Sequence, residues 1–109
     1  MKNVVLDTYL RKLGFRENIA GTPMIREAVA EWRPGCRITK DIYPVVARRC
    51  GSTPSRVERA MRHAIESSLS RCDQELIEDI FGGTIDPGKG KPCNGEFIAM
   101  MAKVVEDAD

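Results

Sequence analysis

Residues 53–68 restrict the fold more than any other stretch of the chain. Thr53-Pro54 has the form of a helix start. A threonine hydroxyl can accept from free N–H groups of the first turn, and proline at the first helical position gives up an N–H that has no partner there. Behind this start Val57, Ala60, Met61, Ala64, Ile65 and Ser68 recur at alternating steps of three and one. A helix gathers those positions into one stripe for burial. The other face reads Arg56, Glu58, Arg59, Arg62, His63 and Glu66. Such a helix needs further elements to cover its apolar side.

The rest of the chain supplies them, all with helical spacing. Val5, Leu6, Tyr9, Leu10 and Leu13 share one face of a first helix, which Gly14 ends. Thr22-Pro23 predicts an N-cap and start for a second, running through Ile25, Ala28, Val29 and Trp32 to Pro34-Gly35. Thr39 is the expected N-cap of a third helix containing Ile42, Tyr43, Val45, Val46 and Ala47. Pro44 falls inside it and predicts a lost hydrogen bond and a kink. Gly51 should close that helix after Cys50. Leu76, Ile77, Ile80 and Phe81 define a fifth helix, stopped by Gly82-Gly83. Residues 84–93 form a turn-rich loop holding Lys89 and Lys91. Asn94 is the expected cap of a last helix that buries Phe97, Ile98, Met101 and Val105. The fold class is therefore all-α, with six helices in a single domain over residues 1–109. That length suits one core. With six aromatic residues the core is mainly aliphatic.

Several function classes drop out. No apolar run approaches the roughly 18 residues of a membrane-spanning helix. The N-terminal stretch contains Asp7 and Arg11 and lacks an uninterrupted signal-peptide core, so a cytoplasmic protein is expected. Cys36, Cys50, Cys72 and Cys93 are far apart, with no Cys-x-x-Cys. They read as reduced thiols in core or surface positions, and neither they nor His63 has zinc-site spacing. No nucleophile elbow or P-loop occurs. The expectation is a protein with no catalysis and no cofactor.

The net charge of +1 hides an asymmetry. Residues 1–36 carry +2, residues 37–72 carry +5 and residues 73–109 carry −6. The positive segment coincides with a helix, a short turn around Gly51 and a second helix, the arrangement of a helix-turn-helix. In that motif the second helix enters the major groove N-terminus first. The candidates for base contact are then Arg56, Glu58, Arg59, Arg62 and His63. Arginine can donate a bidentate pair to guanine, and glutamate can accept from the cytosine amino group. Thr39, Lys40, Thr53 and Ser55 suit phosphate oxygens. Glu58–Arg62 and Arg62–Glu66 are also spaced as four-residue ion pairs. The alternative is a small helical interaction module whose Arg/Glu face binds an acidic protein partner.

A family resemblance lies in Ile38-Thr39-Lys40, Tyr43-Pro44 and Ala47, in the run from Ser55 to Glu66 (SRVERAMRHAIE), and in Lys91-Pro92, Asn94 and Glu96-Phe97-Ile98-Ala99-Met100. These residues closely resemble the C-terminal effector domain of the stage-zero sporulation response regulator family. The likeness covers residues 5–105. It implies six helices with the helix-turn-helix in the third and fourth. It further implies sequence-specific binding of double-stranded DNA at a short promoter element, often as head-to-tail pairs on tandem sites. By position it puts Arg56, Glu58, Arg59, Arg62 and His63 toward bases or adjacent phosphates. Lys40, Thr53, Ser55, Lys89 and Lys91 then become backbone contacts, and Pro44 becomes a tolerated residue of the first motif helix. In the family a phosphoacceptor receiver precedes this domain; no receiver pattern fits in residues 1–36, so an excised domain or a stand-alone relative is expected. The segment after the recognition helix meets the housekeeping sigma factor of RNA polymerase in the family. Here that segment is unusually acidic, with Asp73, Glu75, Glu78 and Asp79.

Overall fold

Helix α4 (Pro54–Arg71) is the beam against which α2 (Gly21–Glu31), α3 (Tyr43–Cys50) and α6 (Asn94–Ala108) all pack. Two more helices, α1 (Lys2–Lys12) and α5 (Gln74–Phe81), complete the order and lie against α6. The computed structural model describes residues 2–81 and 92–108. Among these residues there are six α-helices and no strand, as the periodicity predicts. Gly82-Gly83 and the loop with Lys89 and Lys91 lie outside the described residues.

The predicted stripe of α4 is the centre of the core. Val57, Met61, Ala64, Ile65 and Ser68 are buried, and Ala60 is half-buried. Against them lie Ile25 and Ala28 of α2, Val46 of α3, and Phe97, Ile98 and Met101 of α6. The aromatic content is small but concentrated. The Phe97 ring centroid sits 5.4 Å from Phe15 and 5.7 Å from Phe81, in tilted contacts.

Three expected helix starts differ from the prediction. Helix α2 begins at Gly21, and Thr22 is buried within its first turn. The Thr22 hydroxyl donates to the Arg16 carbonyl at 2.8 Å, a tertiary partner that wins over capping. Thr39 caps nothing. It lies within a single π-helical turn, Ile38–Ile42, that runs directly into α3. The Asp41 carboxylate instead accepts from the Arg37 N–H at 2.7 Å. In that wide turn the Tyr43 N–H reaches the Ile38 carbonyl. Pro44 is thus in the first turn of α3, where a missing N–H has little effect, and does not interrupt a running helix. Asn94 is the first residue of α6 but not its cap. The Cys93 N–H donates to Glu96 Oε1 at 3.1 Å, and the Cys93 carbonyl accepts from the Phe97 N–H at 2.9 Å.

The turn that joins α3 to α4 follows the prediction. Gly51 adopts the left-handed conformation, with φ 62° and ψ 43°. Its N–H and that of Ser52 both reach the Ala47 carbonyl, the latter at 2.8 Å. This closes the end of α3 and turns the chain within residues 51–53. No helix among the described residues is long and apolar enough to cross a membrane.

Candidate nucleic-acid interface

The start of α4 is built by local chemistry. Thr53 is extended, with φ −120° and ψ 155°, and its Oγ1 accepts from the Arg56 N–H at 3.3 Å. Pro54 follows at the first helical position. Thr53 and Ser55 are exposed, and their hydroxyls lie 3.5 Å apart. The remaining N–H groups of the first turn give this end a partial positive charge.

Beyond the cap the side chains sort into a stripe and a flank. Arg56, Arg59 and His63 are three and four residues apart, so they share one line along the helix. All three are exposed, and none forms an ion pair among the described residues. Glu58 and Arg62 occupy the flank. Arg62 Nη1 donates to Glu58 Oε1 at 2.5 Å. The expected Arg62–Glu66 pair does not form. Helical side chains lean toward the N-terminus, and an acid four residues before a cation is the better orientation. Arg62 therefore reaches back to Glu58.

Thr39 and Lys40 are exposed in the π-helical turn before α3, and Lys40 also lacks an ion pair among the described residues. Five base-contact candidates thus stand on one helix, with Thr53 and Ser55 at its start and Thr39 and Lys40 ahead of its partner helix. Lys89 and Lys91 lie outside the described residues. Two features escape the sequence reading. Arg49 is drawn away from the motif face, to Glu27 at 3.1 Å and Glu31 at 2.9 Å on α2. Arg48, beside it, stays exposed. Which of two adjacent arginines pairs with α2 depends on the helix packing, and nothing local announces it.

Behind the flank sits a buried polar node. Asn94 Nδ2 donates to Tyr43 Oη at 3.0 Å and to the Glu58 carbonyl at 2.9 Å. Burial raises the Tyr43 hydroxyl pKa above its ordinary value, the Asn94 bond lowers it, and the Glu58 charge raises it further. Asparagine is a common cap, which predicts a local role for Asn94, and a partner 51 residues away has no local signature.

The thiols offer no contrasting chemistry. Cys36, Cys50 and Cys72 are half-buried and Cys93 is exposed, all free. Burial raises the Cys50 and Cys72 pKa values, away from the reactive thiolate. Among the described residues no group of three or more His, Cys, Asp or Glu could hold a metal.

A comparison with known families gives a match over nearly the whole chain. The family model described as sporulation initiation factor Spo0A C terminal matches residues 6–105.

Proposed function

The chain belongs to the sporulation initiation factor Spo0A C-terminal family, and from that premise we propose that α4 reads a short promoter element through the major groove. The family is the DNA-binding effector domain of a sporulation regulator, not an enzyme family. Regulation of transcription by binding DNA is its activity; how the bases are read is the proposal.

In this reading α4 enters the groove N-terminus first. Arg56 and Arg59 donate to guanine O6 and N7, with His63 further along the same line. Arg62 and Glu58 act from the flank, where Glu58 can accept from a cytosine amino group with its second oxygen. Thr39, Lys40, Thr53 and Ser55, together with Lys89 and Lys91, hold phosphates and set the register. Two copies sit head-to-tail on tandem sites. The acidic segment 73–79 faces the sigma factor of RNA polymerase, and the protein works in the cytoplasm. The observation that carries the reading is the Arg56–Arg59–His63 stripe, exposed and without ion pairs among the described residues, at a capped helix start. Arg49, by contrast, is held by Glu27 and Glu31 of α2.

Selection from random duplex tests this directly. The expected result is one enriched motif. On that motif Arg59→Ala costs about 1–3 kcal/mol and relaxes preference at one position, whereas Lys40→Ala weakens every duplex alike and lowers the salt slope by about 1. A selection that returns no motif rejects base reading by α4.

A further inference from the structure

We propose that Asn94 is a positioning residue for base reading: its buried carboxamide fixes the rotation of α4 against α3 and α6, so that the Arg56–Arg59–His63 stripe meets the bases in one register. The proposal rests on the reading of α4 as the base-reading helix.

Asn94 opens α6, yet that helix does not need it. Cys93 and Glu96 make the local capping bond. The Asn94 side chain is turned inward and the residue is 7% exposed. Both amide hydrogens are used, one on Tyr43 Oη and one on the Glu58 carbonyl. One carboxamide therefore ties α6 to α3 and to α4. The Glu58 carbonyl belongs to the backbone between Arg56 and Arg59, inside the proposed readout segment. The same corner lies close to the turn before α3: a Cβ added at Gly95 would come 3.6 Å from Ile38 Cγ2.

The physical need is directional. The packing of Val46, Val57, Met61 and Ile98 is strong, but the hydrophobic effect is non-directional, and side-chain packing holds helix angles only within a spread of about 15–20°. Hydrogen bonds have narrow distance and angle limits, and a buried amide left unpaired is costly. Base contacts need this control, because a recognition group works only within about 0.5 Å of its productive position. Phosphate contacts by an exposed lysine are point-charge interactions and tolerate more. Loss of the Asn94 bonds therefore damages discrimination and spares sequence-independent affinity.

The test uses the whole 109-residue chain, the selected duplex, a scrambled duplex and a melting curve. With Asn94→Leu, affinity for the selected duplex falls about tenfold, roughly the worth of one base contact. Affinity for the scrambled duplex stays within about twofold, and its salt slope is unchanged. Tyr43→Phe keeps the ring and removes one acceptor, so the selected-to-scrambled ratio falls about threefold, in line with one hydrogen bond. Arg59→Ala added to Asn94→Leu loses less than the product of the two single effects, because a misaligned Arg59 already contributes little. Equal losses on both duplexes, or an unchanged ratio in a folded variant, overturn the proposal. If Asn94→Leu does not melt cooperatively, the ratio for Tyr43→Phe decides alone. If the wild type itself does not discriminate, base reading fails and the positioning role fails with it. A discriminating wild type with unchanged ratios in both variants overturns only the role of Asn94.

Discussion

At Gly21 the missing side chain is what lets α2 lie directly on α4. A Cβ there would stand 2.8 Å from the Ala64 Cβ and 2.8 Å from the Ala60 carbonyl carbon. Both neighbours belong to the central helix, and one of them is backbone, so neither can move aside cheaply. Gly21→Ala should therefore destabilise the fold by about 1–3 kcal/mol, the usual range for overpacking, despite the better helix propensity of alanine. Urea denaturation followed by circular dichroism measures this. An unchanged or raised midpoint would mean that α2 is not held this close to α4. The same position marks a limit of sequence reading. Thr22-Pro23 has the form of a start signal, whereas the decisive residue is the glycine before it, whose role exists only once Ala60 and Ala64 face it.

The elements themselves were largely legible, and the reason is visible in which start signals held. The α4 stripe follows from spacing, and the Gly51 turn and the Thr53 cap from residue type, because each depends on interactions within about one helical turn. Thr53 is exposed, so its hydroxyl has little else to bind and caps α4 as its type predicts. Thr22 and Asn94 are both buried, and in both cases a distant group takes the side chain: the Arg16 carbonyl for one, Tyr43 and Glu58 for the other. Thr39 lost to a neighbour, the Asp41 carboxylate. Among the hydroxyl and amide side chains, the exposed ones follow local rules and the buried ones follow the packing. At the proposed interface periodicity exposes Arg56, Arg59 and His63, whereas the exposed Arg49 is diverted to Glu27 and Glu31 by the packing of α3 on α2, which has no local signal. Thr53→Ala follows from this at the level of the helix. It should cost about 1 kcal/mol of stability, as cap removal commonly does, with Thr53→Ser close to wild type. Thermal melting of the two variants checks it; equal losses for alanine and serine would point to the methyl group and not to the hydroxyl.

Across the molecule, the charge asymmetry acquires a direction. In the first third, Arg26 is neutralised by Asp7 at 2.7 Å and by Glu17. In the middle third Arg49 and Arg62 are paired, while Arg37, Lys40, Arg48, Arg56, Arg59 and Arg71 carry no ion pair among the described residues. Two of these unpaired arginines, Arg56 and Arg59, stand in the first turns of α4. The acids Asp73, Glu75, Glu78 and Asp79 follow its last residue, Arg71. Eighteen helical residues separate the two ends, about 27 Å at 1.5 Å per residue. That distance determines when the acidic end can act on DNA held at the basic end. The screening length is about 30 Å at 0.01 M salt and about 8 Å at 0.15 M. At low salt the acids repel a duplex that approaches the wrong way and so reduce unspecific binding; at higher salt they are screened from it. Replacing Glu75 and Glu78 with Gln and Asp79 with Asn, all exposed positions, should therefore strengthen binding to scrambled duplex several-fold at about 0.01 M salt and leave it unchanged at about 0.15 M. Fluorescence anisotropy at both salts gives the answer. A gain of equal size at both would mean that these carboxylates lie within a few ångströms of bound DNA, and the far end of α4 would then belong to the interface.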